Sequence, residues 1–132
     1  MSEPSIFTKI INGEIPSHRV YEDNHSFAFL DIHPAVPGHT LVVPKTQVDR
    51  LEDLSDKDYE ALMSSVRKVM RRIVAVFGRD YRACLKTEGF DVPHVHVHVL
   101  PCRDAADFHA KQHLDAEPDH AVLATMAEKL RF

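Results

Sequence analysis

Two hydrophobic periodicities divide the chain. Between Tyr59 and Phe77 the apolar residues Tyr59, Leu62, Met63, Val66, Val69, Met70, Ile73, Val74 and Phe77 recur at spacings of three and four, the signature of an amphipathic helix with one face on a core. Ser55, with Asp58 three residues on, predicts its cap, and Asp56 and Asp58 suit the positive end of the helix dipole. Gly78 predicts its stop. Between Pro93 and Pro101 the period changes to two: Pro93-His94-Val95-His96-Val97-His98-Val99-Leu100-Pro101. In an extended strand this alternation sends His94, His96 and His98 to one face and the valines to the other. The valines require a core, so three imidazoles line the opposite face.

The remaining segments are shorter. Ile6, Phe7, Ile10 and Ile11 form the apolar face of a short amino-terminal helix, expected to be capped by Ser2, with Pro4 in its first turn and Gly13 after its end. Glu14 to Asp23 reads as turn and strand, and Ser26 to Ile32 as a strand. The corner His33-Pro34-Ala35-Val36-Pro37-Gly38 leads into a further strand, His39 to Lys45. Tyr81 to Lys86 predicts one more strand, and Thr87 to Val92 the loop that delivers the chain to the histidines. From Arg103 to Asp119 the chain is charge-rich and carries no recognised motif. Its His109 and His113 are expected to be exposed rather than to hold a metal. Asp119 caps a final helix with Ala121, Val122, Leu123, Met126, Ala127 and Leu130 as its apolar residues. Strands joined by tight corners, with one long amphipathic helix to cover them, give an α+β fold.

At 132 residues the chain is one domain, 1–132. A net charge of -4 argues against a nucleic-acid groove but leaves room for a single nucleotide, which needs only a few local donors. No signal-like segment or bilayer-length apolar run occurs, so no membrane association is expected and the compartment is read as cytoplasmic. Cys84 and Cys102 lack a C-x-x-C spacing and read as free thiols.

A row of three imidazoles has three chemical readings. It can be a solvated polar face, although such faces ordinarily mix Lys, Glu, Thr and Ser. It can ligate metal, but His94 and His98 would stand roughly 13 Å apart in a straight strand, zinc holds nitrogen at ~2.1 Å, and no carboxylate or cysteine with ligand spacing lies nearby. It can also supply a nucleophile, because neutral imidazole attacks phosphorus and leaves again without metal activation.

His-Val-His-Val-His-Val-Leu resembles the signature of the histidine triad family of nucleotide hydrolases and transferases, and Asp31-Ile32 followed by Pro34, Pro37, Gly38 and His39 is similar to that family's other recognisable block. The resemblance covers about residues 4–103; the tail, 104–132, lies outside it. It implies a five-stranded antiparallel sheet with one long and two shorter helices, a homodimer, and a purine nucleotide or nucleotide conjugate as substrate, cleaved at the α-phosphate to release a nucleoside monophosphate. His96 would be the nucleophile forming a nucleotidyl-histidine, His98 and His39 phosphate-side donors, and His94 an orienting residue. Asp31 would contact the ribose, while Phe7, Phe29 and Ile32 enclose the base. No cofactor is implied. Phosphoramidase and dinucleoside polyphosphate hydrolase activities both fit; a binding module with little turnover or a metal-dependent hydrolase are the alternatives.

The chain departs from the family at two places. Ser5 and Thr8 occupy the positions of a Cys-x-x-Cys that helps bind structural zinc in other members, and neither is a credible ligand, so no metal is expected. Thr87 stands in the place of an asparagine on the nucleotide side, and the loop from Glu88 to Pro93 carries no Gln or Ser, leaving Asp91 as the polar residue at a similar place. Loss of that donor predicts poor protonation of the leaving group.

Overall fold

The computed structural model describes residues 3–132. Helix α1 (Ile6–Ile11) is followed by strands β1 (Arg19–Glu22), β2 (Ser26–Leu30) and β3 (Thr40–Pro44), then the long helix α2 (Asp56–Phe77). Strands β4 (Arg82–Lys86) and β5 (Val97–Cys102) come next, then a four-residue helix α3 (Ala105–Phe108) and the terminal helix α4 (His120–Leu130). The five strands form one antiparallel sheet in the order β1-β2-β3-β5-β4. The α+β reading and the antiparallel sheet are therefore both observed.

The helix ends follow local chemistry. The Ser55 hydroxyl accepts from the Asp58 N–H, and Gly78 ends α2 at φ 105. Asp119 caps α4 by accepting from the Val122 N–H. For α1 the cap is Ser5, whose hydroxyl accepts from the Thr8 N–H; Ser2 lies outside the described residues. In α4 only Leu123, Ala127 and Leu130 are buried, while Val122 faces solvent. Helix α3 has no counterpart in the sequence reading. It ends at Phe108, so His109 and His113 share no helix face, and both are exposed.

The sheet buries both faces, and the strand alternation sorts residues between them. Ala28, Leu30, Val42, Val97 and Val99 join Leu62, Val66, Val69 and Ile73 of α2 in the larger core. On the other face Phe27, Phe29, Leu41 and Val43 pack against Phe7 and Ile10 of α1. Leu41 pairs with both Phe29 and His98 across the ladders, so His98 lies on the α1 face. The valines of the histidine segment are in the core as expected. The histidines are buried as well, because α1 closes over a face that alternation alone leaves open. The ordered strand starts at Val97 rather than at the first histidine; His94 and His96 precede it, fixed by other bonds.

Gly38 sets the corner before His39. Its φ is 87, and a Cβ there would lie 2.8 Å from the Phe77 ring and 2.9 Å from Pro101. A side chain at this position meets both a left-handed backbone and a filled space. Gly38→Ala is expected to destabilise the fold by about 2–4 kcal/mol in urea unfolding; a loss below about 0.5 kcal/mol contradicts this packing.

Candidate active site

His94 is fixed at three points and fully buried. Its Nε2 lies 2.8 Å from the Pro44 carbonyl, which can only accept, so Nε2 carries the proton. Nδ1 is then the acceptor for the Ser5 hydroxyl at 2.6 Å. Behind Ser5 stands Gln47, a residue with no signal in the sequence: its Oε1 accepts from the Ser5 N–H at 2.8 Å and from the Thr8 hydroxyl at 2.6 Å. The two positions where the resemblance places zinc ligands thus hold hydroxyls, and these are hydrogen-bonded to the Gln47 amide and the His94 imidazole. That donor set does not fit zinc.

The third point is the His94 carbonyl, which accepts from Nδ1 of His96 at 2.8 Å. A carbonyl cannot donate, so the His96 proton sits on Nδ1 and Nε2 keeps a free lone pair. Phe7 packs edge-on against the His96 ring at 5.0 Å between centroids. Thr87 acts from behind: its hydroxyl donates to the His96 carbonyl at 2.7 Å. Thr87 therefore supports the backbone of the segment; it is not among the residues lining the cavity described below, and with Glu88 and His96 it lines the neighbouring one.

A second relay serves His98. The Ala35 N–H donates to Nδ1 of His39 at 3.1 Å, which puts the His39 proton on Nε2. Nε2 lies 2.8 Å from Nδ1 of His98, so His98 accepts there and retains an N–H on Nε2. Three histidines are held neutral by burial. His39 is pushed down to about 3, with the neighbouring His98 as a further cause, and His98 to about 4; His94 is lowered as well.

Of the four histidines, His96 and His98 line a cavity of about 290 Å³. Its apolar walls include Phe7, Phe29 and Ile32, and Asp31 stands at its polar side. The volume suits one small ligand at the lower end of the usual range. Burial raises the Asp31 carboxyl, partly offset by the His33 N–H at 2.9 Å and the Gln112 amide at 2.9 Å.

Two carboxylates stand closer to the imidazoles than the sequence spacing implied. Asp31 Oδ2 lies 3.8 Å from His39 Nε2, and Glu88 Oε1 lies 3.8 Å from His96 Nε2. The expectation that no carboxylate stands near the triad is thus corrected: Asp31, His39 and His98, and likewise Glu88, His96 and His98, each bring three ligand atoms within 4.8 Å of one another. In the first set the His39–His98 hydrogen bond already occupies the facing nitrogens. In the loop it is Glu88, more than Asp91, that approaches His96. The Phe90 and Gly89 N–H groups hold its carboxyl below the usual range. Glu88, Gln47, Gln112 and Leu114 are site residues that the sequence did not single out; each reaches its place through tertiary packing, without a local motif.

These features define a histidine-triad protein. The HIT domain profile matches residues 12–105, and the chain belongs to the histidine triad family. It is 41% identical over 99 residues to an uncharacterized HIT-like protein of Methanocaldococcus jannaschii, covering 73% of this chain and 77% of that protein. It is 36% identical over 103 residues to the adenosine 5'-monophosphoramidase of Saccharomyces cerevisiae, covering 75% of this chain and 63% of the yeast protein. Among solved structures, a Hit-like protein of Bartonella henselae superposes with a TM-score of 0.79 at 31% identity, covering 99% and 97% of the two chains. Among the described residues no helix is long and apolar enough to cross a membrane.

The neutral histidines give a stability prediction. When unfolded, their imidazoles titrate at the ordinary value of 6.5, so below that pH the unfolded chain binds protons that the native state refuses. Stability is complete above about pH 6.5 and falls on acidification, by as much as about 1.4 kcal/mol per group per pH unit. Urea unfolding at pH 7.5 and pH 5 is expected to show the lower value at pH 5; equal stabilities contradict the neutral relay.

Proposed function

We propose that the protein is a nucleotide hydrolase that acts at the α-phosphate of a purine nucleotide conjugate, a nucleoside phosphoramidate above all, through a covalent nucleotidyl-His96. The observation that carries this reading is the bond from His96 Nδ1 to the His94 carbonyl, which leaves Nε2 as a lone pair at the cavity. In the first step Nε2 attacks phosphorus, a P–N bond to His96 forms, and the bond to the leaving group breaks, a departing amine taking its proton from solvent water. In the second, water attacks the same phosphorus, the bond to His96 breaks, and the nucleoside monophosphate departs. The His98 Nε2–H, poised by the relay from His39, is the donor for a non-bridging oxygen as charge develops. Asp31 takes the ribose side, and Phe7, Phe29 and Ile32 give the apolar walls an aromatic base requires. His94 positions and does not react.

The name of the yeast relative supports the phosphoramidate as the first substrate to test. The unpaired outer edge of β4 supports a homodimer, since an exposed strand edge invites pairing. The free thiols Cys84 and Cys102 support a reducing, cytoplasmic setting. No cofactor enters the reaction as drawn.

Glu88 divides the two steps. Held as a carboxylate, it has no proton for a leaving amine at neutral pH, but it is placed to take a proton from the attacking water. Leaving groups that need no proton, such as a fluorinated phenol or imidazole on adenosine monophosphate, should therefore turn over much faster than alkyl phosphoramidates, and dinucleoside polyphosphates should be poor substrates. Comparable rates for amine and activated leaving groups would mean that another residue delivers the proton.

Replacing the nucleophile tests the reading directly. His96→Asn keeps most of the pocket and deletes the attacking nitrogen, so adenosine monophosphate binding should stay within a few-fold of wild type by calorimetry. Turnover of adenosine 5'-phosphoramidate should fall at least about a thousandfold. A variant with the wild-type rate overturns the assignment.

A further inference from the structure

The tail beyond the matched domain returns to the cavity. After α3 the chain crosses from the β4 side to the Asp31 corner, tied at three points. Lys86 donates to the Phe108 carbonyl at 3.0 Å, with its ammonium 4.8 Å from the Phe108 ring. Gln112 donates from its side-chain nitrogen to Asp31 Oδ2 at 2.9 Å and to the His33 carbonyl at 2.8 Å. His33 Nε2 in turn donates to the Ala116 carbonyl at 3.1 Å. Between the last two ties Leu114, 63% exposed, joins Ile6 and Ile32 in lining the cavity. Three exposed aliphatic side chains from three separate segments thus meet at one opening.

The bonding of Gln112 decides what this strap can do. Both hydrogens of its amide nitrogen are used, one on each acceptor, which fixes the orientation of the amide. Among the described residues its carbonyl oxygen has no hydrogen-bond partner. Asp31 Oδ1 is engaged by the His33 N–H, while Oδ2 receives Gln112 and can still accept a second bond. The corner therefore presents two acceptors, a carboxylate and an amide oxygen, beside the apolar walls. A ribose carries two vicinal hydroxyl donors.

We propose that Gln112 is a second ribose-binding residue beside Asp31, and that the strap carrying it and Leu114 makes the pocket selective for nucleotides with an intact 2',3'-diol. Gln112 accepts from one hydroxyl through Oε1 while its nitrogen holds Asp31 for the other; Leu114 narrows the entrance on the base side. This inference rests on the nucleotide reading of the cavity given above.

The test compares adenosine monophosphate with its 2'-deoxy and 3'-deoxy analogues, as binding to full-length His96→Asn protein and as turnover of the corresponding phosphoramidates. Gln112→Ala is expected to weaken the ribonucleotide about tenfold in Kd and KM, with kcat within about twofold. It should weaken at least one deoxy analogue much less, so that discrimination shrinks by a similar factor. Gln112→Glu keeps the acceptors but loses the donors and sets a second carboxylate against Asp31, and should lose discrimination as well. Unchanged ribonucleotide affinity and unchanged discrimination in Gln112→Ala overturn the strap's role alone. Failure of the unsubstituted chain to bind adenosine monophosphate overturns the nucleotide reading and this inference with it.

Discussion

The site depends on one hydrogen bond, from Nδ1 of His96 to the carbonyl of His94, two residues back in the same chain. A neutral imidazole is a nucleophile only at the nitrogen without a proton, and a backbone carbonyl fixes which nitrogen that is. No metal is needed for that selection. The carbonyl must nevertheless be held still, and much of the surrounding structure does this. His94 is clamped between the Pro44 carbonyl at the end of β3 and the Ser5 hydroxyl at the start of α1. Thr87 secures the carbonyl of His96 from the other side.

The same logic runs through His39 and His98 with the opposite outcome. There the relay begins at a backbone N–H, from Ala35, so each ring accepts at Nδ1 and His98 is left as a donor. Two adjoining imidazoles therefore meet the cavity with complementary character, one as lone pair and one as N–H. Burial keeps His39 and His98 neutral and so preserves the donor character of His98 across the ordinary pH range. Ser5 has two duties, capping α1 and donating to His94, and Gln47 ties it to Thr8. One hydroxyl thus joins the geometry of a helix end to the tautomer of a site residue.

What was legible in the sequence is what local chemistry decides. The ends of α2 follow from Ser55 and Gly78, and the start of α4 from Asp119, because a cap bonds within its own first turn. The side of the sheet that each valine and histidine occupies follows from period two. Where the histidine strand begins does not, since His94 and His96 are fixed by side-chain and carbonyl bonds to distant elements rather than by ladder pairing. The resemblance supplied the positions of His39 and Asp31 beside the triad. It could not supply Glu88, Gln47 or Gln112, whose partners lie far off in sequence or depend on how a short loop folds. Gln112 meets Asp31 across 81 positions, in a stretch that no local pattern marks.

The tautomers themselves are open to measurement. Long-range nitrogen–proton correlation spectra of the uniformly labelled protein at pH 7.5 distinguish imidazoles protonated at Nδ1 from those protonated at Nε2. His39, His94 and His98 are expected to carry the proton on Nε2, and His96 alone among these four on Nδ1, with its Nε2 showing the shift of an unprotonated nitrogen. A His96 ring protonated at Nε2 would leave no lone pair at the cavity and would contradict the account at its centre.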